Sequence, residues 1–140
     1  MIPATRHASS IHMRQTLRTT LLFAAAVLMG FSALVNAIVN VPHLREDMAE
    51  INVRPTLLGA VSLGLHFGTL AMFAFACLVL VAAIRSLRVA VTARVPLSII
   101  AATYVGFGIA AFVLTKSPHT LGYVFMGVLI FGAVAIREPR

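Results

Sequence analysis

Where the charges do not occur constrains this chain more than any other feature. No Asp, Glu, Lys or Arg lies between Arg18 and Arg45, between Arg54 and Arg85, between Arg94 and Lys116, or between Lys116 and Arg137. A helix needs ~20 residues to cross a hydrocarbon core, and each gap supplies about that many or more. Four crossings are predicted, over about 19–40, 56–84, 95–115 and 119–136. They must be helices, because lipid gives the backbone no hydrogen-bond partner. A membrane barrel would alternate in polarity at every second residue, and these runs do not. The fold class is therefore all-α, an integral membrane four-helix bundle. Residues 1–18 and 137–140 are left as tails, and His7 and His12 fall in the first of them.

Composition excludes the soluble alternative. Charged residues make up 11% of the chain and hydrophobic ones 60%, against ~25% charged in a typical soluble domain. The net charge of +7 does not point to nucleic acid, since the arginines flank membrane segments and form no continuous basic run. Arg6, Arg14, Arg18, Arg85, Arg88, Arg94, Arg137 and Arg140 fall on one side of a four-span layout. The other side has Arg45, Arg54 and Lys116, accompanied by Glu46, Asp47 and Glu50. The positive-inside rule then puts both termini and the middle loop in the cytoplasm of a bacterial-type inner membrane. A competing reading treats the first apolar run as a signal peptide cut after Ala37. Against it, the run continues to Val41 and exceeds a signal h-region. The lone Cys77 cannot form an intrachain disulfide.

The connections predict an up-down-up-down order. Few residues around Pro118 join the last two spans, and about ten join the second and third. The longer connection, Val41 to Pro55, puts Leu44, Met48 and Ile51 on one stripe, which predicts a short amphipathic helix on the membrane surface. Helices in lipid associate through small residues that let backbones approach. Ala60, Gly64 and Gly68 form such a ridge on the second span, and Ala102, Gly106 and Ala110 on the third. The partner could be another span or another subunit.

Polar side chains at membrane depth usually face protein. Asn36 and Asn40 share one face of the first span, and His66 lies in the second. His43, His66, His119, Asn36, Asn40 and Tyr104 are the candidate cofactor contacts, since two imidazoles can ligate haem and an imidazole or phenol can bond a quinone carbonyl. The plainer expectation is that His66 hydrogen-bonds across a helix contact to Asn36, Asn40 or Tyr104. No metal site is expected, because HxxxH and HxxH spacings and intramembrane carboxylates are lacking. The absence of intramembrane charge disfavours an ion-coupled exporter. With no nucleophile–base arrangement or phosphate loop, the sequence points away from an enzyme. It favours a structural or accessory subunit that works by helix-mediated assembly, as a homo-oligomer or in a larger membrane complex. A haem- or quinone-contacting redox subunit is the alternative, and a small-solute or lipid carrier is the second.

Overall fold

The computed structural model describes the backbone of residues 5–88 and 94–136, with side chains from His12 to Leu87 and from Arg94 to Ile136. The 137–140 tail, residues 89–93 of the middle loop and the side chains of Arg6, His7 and Arg88 lie outside that range. All described regular structure is helical: α1 (Thr5–Val35), α2 (Val41–Glu50), α3 (Pro55–Arg88), α4 (Arg94–Thr115) and α5 (Leu121–Ala135). A π-turn over Asn36–Asn40 joins α1 to α2, and a 3-10 turn over Pro118–Thr120 leads into α5. Four helical stretches are long and apolar enough to cross a membrane: His12–Glu50, Pro55–Leu87, Arg94–Thr115 and Pro118–Ala135. The protein is a multi-pass membrane protein of all-α, four-helix-bundle class.

The outer surface agrees with that assignment. Phe31, Leu63, Phe67, Leu70, Val95, Ile99 and Leu114 are all more than half exposed, a surface that water would penalise and lipid accepts. The residues turned inward recur at steps of three and four: Leu22, Ala26, Met29 and Ala33 on α1; Ala76, Val79 and Ala83 on α3; Leu97, Ala101, Tyr104 and Gly108 on α4; Met126, Ile130 and Ala133 on α5. This is the knobs-into-holes spacing. Its many alanines match the small-residue rule for helices in lipid.

The helices do not pack equally. α1 lies between α3 and α5, and α5 also packs along α4. The fourth edge of the bundle, between α3 and α4, stays open. The four-helix bundle expected from the sequence is thus packed along three of its four edges. Gly64, Gly68 and Ala71 on α3 are too short to span that edge. A T-shaped contact of Phe75 with Tyr104, ring centres 6.4 Å apart, bridges it.

Two expectations change. Residues 5–18, read as a tail, belong to α1; no Gly or Pro interrupts them, so the helix extends beyond the apolar run. The helix also does not end near Asn40. Val41 N–H donates to the Asn36 carbonyl in the wider π pattern, and Pro42 then sits in the first turn of α2. A missing N–H costs least at that position. α2 does form, but it packs against α3 instead of standing apart from the bundle. With 34 residues, α3 is about 51 Å long, far more than the ~30 Å hydrocarbon thickness.

Candidate functional site

Two polar bridges tie α1 to α3. At one end, the Thr19 and Ser86 hydroxyls lie 2.7 Å apart and buried, and Gln15 Nε2 donates to the Ser86 carbonyl at 3.0 Å. Towards the α2 end, Asn36 Nδ2 donates to Thr69 Oγ1 at 2.7 Å, and Thr69 Oγ1 donates to the Leu65 carbonyl at 3.0 Å. The bridges are 17 residues apart on both helices, so a single antiparallel register satisfies both. The Ser86 and Thr69 hydroxyls each donate to their own helix, at Ala83 and Leu65, which keeps these groups paired in an apolar medium.

Thr69 therefore takes the role expected of His66. No hydrogen bond joins His66 to Asn36, Asn40 or Tyr104 among the described residues. His66 precedes Thr69 by three residues, about 60° further round α3, where it meets α2 and not α1. It is exposed and lines a shallow cleft with Val41, Pro42, Arg45, Glu46 and Leu58. His43 is exposed on α2, with Nδ1 3.7 Å from a Glu46 carboxylate oxygen. His119, in the turn before α5, has Nδ1 2.7 Å from Ser117 Oγ. The three imidazoles thus occupy three different settings. Among the described residues there is no cluster of three or more His, Cys, Asp or Glu side chains able to hold a metal. Asn40 Nδ2 reaches Asn36 Oδ1 at 3.4 Å on the exposed side of the π-turn.

The open edge between α3 and α4 forms a cavity of about 340 Å³, a size typical of small-molecule sites. α3 contributes Gly64, Leu65, Gly68, Ala71, Met72 and Phe75, while α1 contributes Asn36. Thr103, Tyr104 and Phe107 of α4 and Tyr123 of α5 form the aromatic wall. Tyr104 packs on Phe75 and on Tyr123, the latter with ring centres 6.3 Å apart, and Tyr123 meets Phe107 edge-on at 5.0 Å. No lining residue is charged. Asn36 and Tyr104, two of the expected contacts, are thus brought together, and Asn40, His43, His66 and His119 lie outside this wall.

The small residues divide in an unexpected way. A β-carbon on Gly64, Gly68 or Gly106 would meet nothing within 4 Å, and Ala60, Ala102 and Ala110 are exposed. The intimate contact is made by Gly108 and Gly127. A β-carbon on Gly127 would lie 2.7 Å from the Ala101 carbonyl oxygen, and one on Gly108 would lie 2.8 Å from the Val124 nitrogen. Single glycines on facing helices carry no i, i+4 signature, so ridge spacing could not reveal them. Their signal in the sequence was the seven-residue interval from Ala101 to Gly108 on one α4 face. The chain matches no protein-family model, no curated protein and no solved structure.

Proposed function

We propose that this protein is a small accessory subunit of a bacterial-type inner membrane, which works by lateral association of its helices with a second copy of itself. One observation carries the reading. The glycines used inside the chain, Gly108 and Gly127, are pressed against backbone, whereas Gly64 and Gly68, with Ala60 on the same face, meet nothing. A face that allows such close approach and is left bare gains most from another helix. The lack of charge in the spans supports a packing role over ion transport.

The lone Cys77 is exposed, and it lies about 140° around α3 from Gly64 and more than three turns along it, so a fluorophore there does not cover the ridge. Protein labelled at Cys77 with donor or acceptor and reconstituted in vesicles should show energy transfer that unlabelled copies compete away. Ala60→Leu, outside the cavity, should weaken that association about tenfold, equivalent to roughly 1.4 kcal/mol. No transfer at any protein density, or transfer indifferent to Ala60→Leu, would overturn the proposal.

A further inference from the structure

We propose that the cavity between α3 and α4 is a binding site for a neutral, ring-bearing, membrane-soluble carbonyl compound of the prenylated-quinone class. Gly64 and Gly68 also belong to the face on which association was argued, so a second copy has to seat towards Ala60 for the cavity to stay open, and the Tyr104 and Ala60 variants separate the two readings.

It starts from hydrogen-bond accounting. Four polar side chains line the cavity. The Asn36 amide donates to Thr69, and the Thr103 hydroxyl donates to the Ile99 carbonyl at 2.9 Å. The other two are phenols. Tyr104 is 4% exposed, and its hydroxyl is buried with no hydrogen-bond partner. The Tyr123 hydroxyl also makes no hydrogen bond among the described residues. A buried, unpaired hydroxyl costs about 1–3 kcal/mol. Two adjoining phenols of one cavity wall are therefore left without an acceptor, the Tyr104 hydroxyl lying just beneath the wall's surface, and lipid chains offer them none.

The rest of the wall selects the class. Without a cation among the lining residues, a phosphate or carboxylate head would be stripped of water and left uncompensated. A neutral carbonyl accepts from a phenol without that penalty. Phe75, Tyr104, Phe107 and Tyr123 present ring faces and edges suited to a planar ring. Gly64, Gly68 and Ala71 form a low floor opposite them. The cavity is open to the lipid side, so an apolar tail can run outward between α3 and α4.

The chain reports on its own site. It has no tryptophan and only two tyrosines, both in the cavity wall, so all near-ultraviolet protein fluorescence of tyrosine or tryptophan type arises there. Purified full-length protein in detergent should show saturable quenching on titration with decylubiquinone. Decylbenzene, with the ring and tail but no carbonyl, should compete poorly. Tyr104→Phe keeps the ring and leaves Tyr123 as reporter, and it should weaken decylubiquinone binding about fivefold to tenfold. Gly68→Leu, which fills the floor, should abolish saturation while the far-ultraviolet helix signal is retained. Quenching that rises linearly without saturation would overturn the proposal. So would equal competition by decylbenzene together with an unchanged Tyr104→Phe affinity, the result expected of a gap filled by lipid tails. Because Tyr104→Phe leaves the Ala60 ridge intact, energy transfer between Cys77-labelled copies should not change.

Discussion

Gly127 and Gly64 are the same residue type in equally apolar helices, but only one is under steric pressure. A methyl group on Gly127 would lie 2.7 Å from both the Ala101 carbonyl oxygen and Val105 Cγ2. The carbonyl is backbone and cannot turn aside, so α4 and α5 must separate. Gly127→Ala should destabilise the bundle by about 1–3 kcal/mol, whereas Gly64→Ala should cost nothing measurable. Unfolding of both variants by sodium dodecyl sulfate titration from mild detergent, followed by circular dichroism, checks the contrast. Equal midpoints would contradict it. At this scale the sequence was only partly legible. Tyr104 and Asn36 were recognisable because polar groups at membrane depth are costly, and the two do share a cavity. The bond from Asn36 went to Thr69 and not to His66, because a three-residue offset on α3 decides which side chain meets α1.

Among the elements, the π-turn is the feature with the clearest consequence. One residue more than an α-helical repeat between Asn36 and Asn40 shifts the hydrogen-bond register, so Asn36 can face α3 on one side of the turn and Val41 can be buried on the other. Inserting one alanine after Ile38, a second extra residue beyond the one the π-turn absorbs, should rotate α2 by about 100° relative to α1. That would lift Val41 off α3 and expose the cleft beside His66. Amide exchange across Val41–Glu50 should then quicken, while exchange in Leu22–Ala33 stays slow. Unchanged protection of α2 would refute this role for the turn. The helix ends were hard to read for a related reason. α2 closes with Asn52 at φ 54°, where Val53 N–H donates to the Met48 carbonyl. α4 closes with Lys116 at φ 56°, donating to the Phe112 carbonyl. Glycine normally marks that left-handed position, and neither site has one. Pro42 sits in the first turn of α2, where a proline starts a helix as readily as it ends one.

For the molecule as a whole, the acidic residues of the described chain gather at one end of the bundle axis, with Arg45 and Arg54 among them, and an arginine cluster without acids forms the other. Arg14, Arg18, Arg85 and Arg94 are at the end where α1 begins, and Glu46, Asp47 and Glu50 are at the α2 end. The proposed cytoplasmic placement of the arginine-rich end makes a direct expectation. In a Cys77→Ser background, a membrane-impermeant maleimide should label Asn52→Cys in intact cells, and should label Arg94→Cys only after lysis. The reverse pattern would invert the topology. By itself, the sequence determined the number of crossings, their helical nature and their turn-by-turn order, because charge and backbone hydrogen bonding in lipid act locally and leave one solution. The tertiary structure decided which face of each helix is covered, that α1 lies between α3 and α5, and that the α3–α4 edge opens into a tyrosine-lined cavity. In an apolar medium nearly every face is equally greasy, so hydrophobicity no longer separates inside from outside. That choice falls to side-chain size and pairing register, which exist only once two helices are brought together.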